Sequence, residues 1–292
     1  MDGCSGSRST ATRPDARTVL APALAAVLAV TVSALSVVAA PSVSPSSPPA
    51  SGLRITVTAD AMDVDTVTRT VTATGHVRVT DGTVTGTASK ATLYHAQGRG
   101  ILVGNARMTA PQGVLVGGEI TFTYTTRIVT RIVSRGDAGL EMSIGRLSAG
   151  TITVTPPSDL VVAEEHATFL SPPDVVATAR TLSFDRGRGR AMLDGGARLQ
   201  NRDGFIQGER IEGVDRLERA SVTGGVIGRY RDIDARSQTA EYDAKEKKIV
   251  FIGDAEVTQA GRRLFTERVT VWYAVGRIVA EGATRLRIEP AP

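Results

Sequence analysis

Residues 72–79 read TATGHVRV and residues 101–108 read ILVGNARM. Their glycines, Gly75 and Gly104, are 29 residues apart. The same step separates Gly195, Gly224, Gly253 and Gly282. Gly136 and Glu165 hold the equivalent places between the two groups, again 29 apart, with joins of 32 (104 to 136) and 30 (165 to 195). A fixed period of this size, in eight units, signals a repeat architecture.

Working outward from each anchor, the residues two and four positions on are Val77 and Val79, Ala106 and Met108, Ala138 and Leu140, and Ala167 and Phe169. The series continues with Ala197 and Leu199, Val226 and Gly228, Ala255 and Val257, and Thr284 and Leu286. Nearly all are apolar. The residues between them are far more polar: His76, Arg78, Asn105, Arg107, Asp137, His166, Arg198, Asp254, Glu256 and Arg285. A period of two is that of a strand with one apolar and one wet face. The anchor lies on the apolar side, where a glycine leaves space or marks a bulge.

A first strand precedes each of these. ITVTADAMDVD (55–65), ASKATLYHA (88–96), GEITFTYTT (118–126), ARTLSFDRG (179–187), SQTAEYDAK (237–245) and ERVTVWYAV (267–275) are examples. An aromatic residue recurs near the end: Tyr94, Tyr124, Phe184, Tyr242, Tyr273. One unit is then two antiparallel strands and a turn, giving about sixteen strands. No helical period follows residue 53. The expected fold is all-β, an elongated sandwich or jelly roll that lengthens with each repeat.

Before the repeats, Arg8, Arg13 and Arg17 precede an uncharged run from Thr18 to Ala40. A positive segment followed by an apolar one is a targeting signal. Its 23 residues could also span a bilayer, which needs about 20. Residues 1–40 are read as a signal peptide or a membrane anchor, and PSVSPSSPPASG (41–52) as a tether. Either reading places residues 53–292 outside the cytoplasm.

Composition narrows the chemistry. The 292 residues include one cysteine, Cys4, so neither a disulfide framework nor a cysteine zinc site can form within the chain. A net charge of +4, from 34 basic and 30 acidic residues, is not that of a nucleic-acid binder. There is no P-loop, no G-x-S-x-G, no H-E-x-x-H and no C-x-x-C. No enzymatic activity and no cofactor are expected.

The remaining polar clusters have plain readings beside sharper ones. Asp60, Asp63 and Asp65 could offer oxygens to calcium, or simply form a solvated strand end. His76 and His166 lack partners at metal-ligating spacing. Arg186, Arg188 and Arg190, and Lys245, Lys247 and Lys248, lie at turns, where they solubilise hairpin tips or meet lipid phosphates. Trp272 and Tyr273 fill the core or its mouth, and Asp232 and Asp234 form no acid/base pair for glycan hydrolysis.

The stretch TADAMDVDTVTRTVTATGHVRVTDGTVTGTASKATLYHA (58–96) resembles the OstA-like family of periplasmic lipopolysaccharide-transport proteins, which includes LptA and LptC. The residues carrying the likeness are Ala59-Asp60, Gly75-His76-Val77 and Ala91 to Tyr94. They recur as Ala240, Tyr242, Gly253 and Ala255, and the likeness covers most of 53–288. It implies an open β jelly roll that shields lipopolysaccharide acyl chains in a periplasmic bridge. Val77, Val79, Ala106, Met108, Leu140, Phe169, Leu199, Val226, Val257 and Leu286 would line the apolar groove. The implied partners are lipopolysaccharide or a related lipid, other Lpt bridge components joined through edge strands, and the inner membrane if residues 18–40 are retained. A first strand without proline (54–61) and a last strand (284–288) followed by Pro290 and Pro292 leave both edges free to pair. Two other readings stand beside this one: a structural β scaffold with a solid interior, and a glycan-active enzyme on a β-helix.

Overall fold

The computed structural model describes residues 54–111, 113–214 and 218–288. The signal-or-anchor and tether assignments, 1–40 and 41–52, lie outside them. Eighteen strands follow one another among the described residues. The first nine are β1 (Thr56–Thr58), β2 (Ala61–Asp65), β3 (Thr70–Thr80), β4 (Thr85–Tyr94), β5 (Arg99–Ala110), β6 (Gly113–Tyr124), β7 (Val129–Met142), β8 (Gly145–Thr155) and β9 (Leu160–Ser171). Then come β10 (Val175–Asp185), β11 (Arg190–Asn201), β12 (Gly204–Val214), β13 (Arg219–Tyr230), β14 (Ile233–Asp243), β15 (Lys248–Gln259), β16 (Arg262–Trp272), β17 (Arg277–Glu281) and β18 (Arg285–Ile288). Two single turns of 3₁₀-helix, His95–Gln97 and Pro156–Ser158, are the helical content of the described residues.

From β3 to β16 each strand pairs antiparallel with the next, an unbroken meander. At one edge β1 and β2 share β3, opposite Arg78–Thr80 and Thr70–Thr74 respectively. At the other, β17 and β18 share β16. The interrupted first and last strands bring eighteen segments to sixteen strand positions, and the sheet is not closed.

Each second strand of a unit is broken at its middle by the anchor. Gly75-His76, Gly104-Asn105, Gly136-Asp137, Glu165-His166, Gly195-Gly196, Gly224-Gly225 and Gly253-Asp254 all have left-handed φ, between 44° and 85°. Two residues there oppose one on the neighbouring strand, and the ladder register shifts at that point, as between Thr74 and Val77 of β3 against β4. This is a β-bulge, and it bends the ribbon.

The bend brings two backbones close together. A Cβ on Gly224 would lie 2.4 Å from the Cβ of Glu209. Unit four exchanges the roles. There Glu165 takes the left-handed position, and the residue opposite it is Gly150, whose added Cβ would lie 2.8 Å from that of Glu165. One glycine per corner is the requirement, and either strand can supply it.

With every strand bent, the apolar faces of the two halves meet. A Cβ on Gly86, near the start of β4, would strike Leu102 of β5 at 2.7 Å, although their in-sheet register pairs Gly86 with Met108. The contact therefore crosses the interior. At the inside of the bend small side chains predominate, although Leu102, Ile120 and Ile152 are also fully buried there. Ala73, Ala91, Ala106, Ala138, Ala163, Ala167, Ala197, Ala240 and Ala255 are all at most 2% exposed. Larger residues, such as Leu93, Leu115, Phe122 and Ile132, lie farther out along both halves. The alanine stripe is packing at a tight corner.

Candidate functional site

The bend turns two rows of hairpin tips toward one another. One row contains the β3–β4 tip at Asp81 to Val84 and the β5–β6 tip at Pro111 and Gly113. The other contains the β6–β7 tip at Arg127 and Ile128, the β8–β9 tip at Pro156 and Asp159, and Arg186 after β10. Residues of both rows line a single cavity of about 1160 Å³. Its inner wall is apolar: Met108, Leu115, Ile132, Leu140, Met142 and Val161. Deeper toward the chain's middle a narrower space of about 80 Å³ lies among Leu147, Phe169, Leu182, Leu193, Leu199 and Ile211.

The interior closes toward the C-terminal end. A Cβ on Gly228 would touch the Phe251 ring at 3.6 Å. The Tyr230 and Tyr242 rings lie 6.3 and 6.2 Å from that of Tyr273, and the Tyr242 and Tyr273 hydroxyls are 3.4 Å apart. Burial pushes the Tyr242 hydroxyl far above the ordinary tyrosine range, and the hydrogen bond with Tyr273 pushes it further. The space left there is about 30 Å³.

The residues expected on the inward face fall into four groups. Met108 and Leu140 are buried and line the large cavity. Phe169 and Leu199 are partly buried and line the narrower one. Val77, Ala106, Val226 and Val257 are packed to 2% exposure or less, and Val79 is buried beside Met108. Leu286 departs from the expectation. It pairs with Leu264 on β16 but is 56% exposed, because no further strand or facing half among the described residues covers β18.

The polar clusters resolve into local contacts. Asp65 caps its own turn at the N–H groups of Val67 and Thr68, and Asp60 accepts from His76 Nδ1 at 2.8 Å across the first corner. Among the described residues no three His, Cys, Asp or Glu gather as a metal site would need. His76 and His166 are second residues of their bulges. Arg186 pairs with Asp159, Arg188 with Asp185 and Arg190 with Glu212. Lys245 pairs with Glu218 and Lys248 with Glu246, while Lys247 takes a left-handed turn position. Asp234 accepts from Arg229, Asp232 from Gln259, and Arg277 stacks over Trp272.

The mouth arginines Arg54 and Arg127 were not singled out from the sequence. Each stands alone in its segment, and only the bend brings them to one opening. Among the described residues no helix is long and apolar enough to cross a membrane.

Comparison with known proteins bears on this arrangement. A family model described as LptA/(LptD N-terminal domain) LPS transport protein matches residues 55–128. No curated protein matches. A solved structure that matches is LptH from Pseudomonas aeruginosa, titled the LptA homologous periplasmic component of the conserved lipopolysaccharide transport device. It is 16% identical with a TM-score of 0.38, over 40% of this chain and 95% of that one. It is the OstA-like lipopolysaccharide-transport family that this chain resembles, by direct match over residues 55–128 and by the same strand–corner–strand unit repeated as far as residue 288.

Proposed function

We propose that this protein binds lipopolysaccharide or a closely related acylated lipid in the periplasm and shields its acyl chains on the way across the envelope. The observation that carries this reading is the cavity of about 1160 Å³, apolar inside and open between two rows of turns. Its volume is above the usual range of small-molecule sites, about 300–1,000 Å³. Exposing a methylene to water costs about 0.8 kcal/mol, so a twelve-carbon chain in water costs about 10 kcal/mol. An apolar lining removes most of that cost without any catalytic group. The family match over residues 55–128 supports the same reading. Bridge formation with other Lpt components would use the open edges, β1–β2 and β17–β18, and residues 18–40 would serve as signal or inner-membrane anchor.

A photoreactive residue placed at Leu140, inside the cavity, tests the proposal against the same residue at Arg107 on the outer face of β5. Light-dependent capture of purified lipopolysaccharide is expected at position 140 and not at 107. Equal capture at both, or none at either, would overturn the lipid path.

One observation favours a second reading for part of the molecule. From Tyr230 to Tyr273 the interior is filled by aromatic rings, those of Tyr230, Tyr242, Phe251 and Tyr273. That portion of the domain fits a scaffold, and the lipid is expected to occupy the β5–β11 portion.

A further inference from the structure

The charges at the mouth are not all answered. Arg186 is paired with Asp159, and Asp81 forms no ion pair: its Oδ1 accepts the N–H groups of Thr83 at 2.8 Å and Val84 at 2.7 Å, which holds the carboxylate in its own turn. Arg54 and Arg127 line the same opening, and their guanidinium groups have no ion-pair or hydrogen-bond partner among the described residues. They approach from opposite sides. Arg54 leads into β1, which pairs with the β3 end next to Asp81, while Arg127 is on the facing β6–β7 tip. Directly below them the wall is apolar, with Met108, Leu140 and Met142.

An opening with two unpaired guanidinium groups and one unpaired carboxylate at its lip, a net positive charge, and hydrocarbon beneath fits an amphiphile whose head is an anion and whose tail is an acyl chain. Arginine presents planar paired donors that match phosphate oxygens, and such charge-assisted bonds are about twice as strong as neutral ones. We propose that Arg54 and Arg127 clasp the phosphate of an acylated lipid at the mouth of this cavity, fixing the head while the chains enter. This rests on the lipid-binding reading above and adds the chemistry of the head group to it.

The test uses the full chain with Arg54→Gln, Arg127→Gln and both together. Binding is measured to a phosphorylated acyl disaccharide, to the same lipid with its phosphates removed, and to inorganic phosphate. The phosphorylated lipid should bind the unaltered chain more tightly than its dephosphorylated form. The double variant should lose about tenfold or more for the phosphorylated lipid. It should bind the dephosphorylated lipid as the unaltered chain does, and that unchanged arm also reports that it is folded. Equal affinity of the unaltered chain for the two lipids, or an undiminished double variant, would overturn the clasp while leaving the lipid-binding reading intact. Failure of the unaltered chain to bind either lipid would overturn both. Tight binding of inorganic phosphate, lost in the double variant while neither lipid competes for it, would make this a free-phosphate site and overturn the proposal.

Discussion

At Gly150 the side chain is a single hydrogen because Glu165 leaves room for nothing more. The equivalent residue one unit earlier, Gly118, faces Gly136, and an added Cβ there would come no nearer than 3.6 Å to any neighbouring atom. Neither Gly118 nor Gly150 has a left-handed φ, so the two differ in space alone. Gly150→Ala is expected to cost about 1–3 kcal/mol, as overpacking does. Gly118→Ala should be neutral or slightly stabilising, through a less flexible unfolded chain. Adding Glu165→Gly to Gly150→Ala should restore most of the loss. Chemical denaturation of the four proteins checks this, and equal midpoints for the two alanine variants would refute the corner rule. Tyr242 supplies a second test. Its proton is held in the folded state well above the ordinary value of about 10. An unfolded chain releases it near that value, so the contribution to stability is complete below about pH 10 and is lost as the pH rises above it. The loss for this one group is about 1.4 kcal/mol per pH unit. Denaturant midpoints at about pH 9 and about pH 11 should fall further for the unaltered protein than for Tyr242→Phe. Parallel falls would mean that the hydroxyl is not shielded.

At the scale of the strand, the two strands of a unit were not equally readable. In β5 the alternation runs through the bulge unbroken, from Gly100 and Leu102 to Ala106 and Met108, all buried. The anchors and their followers therefore stood out in the sequence. In β4 the inward residues are Gly86 and Ala88 and then Ala91 and Leu93, with Ser89 and Lys90 both outward between them. The same switch occurs at Glu209-Arg210 in β12 and Glu267-Arg268 in β16. One residue on these strands spans a corner that takes two on their neighbours, so the period of two loses its phase halfway. A search for strict alternation reads such a strand as two fragments, and the facing of the two halves, which creates the mouth, has no local signature at all. The edge strands could be read, but not their exposure. Leu286 and Ile288 are 56% and 66% exposed on β18, and Met62 and Val64 are 52% and 60% exposed on β2. Ending the chain after Ala283 removes β18 and leaves β16 paired with β15 and β17. The shortened protein is expected to stay folded and to self-associate less, as seen by sedimentation. Unchanged assembly would show that this edge is not used.

At the scale of the molecule, every strand from β3 to β16 touches chiefly the strands before and after it in sequence. Each unit is held chiefly by its neighbours in sequence, as in other one-dimensional repeat proteins. The sheet also never closes. Two strands per unit, at about 4.8 Å between strands, add about 10 Å for each 29-residue unit. Sixteen strand positions therefore extend about 70 Å from the first edge to the last. Because the corner recurs at a fixed place in each unit, copying or losing a whole unit changes that length and leaves the remaining corners as they were. The domain is graduated like a ruler, and its length is written in the number of its corners.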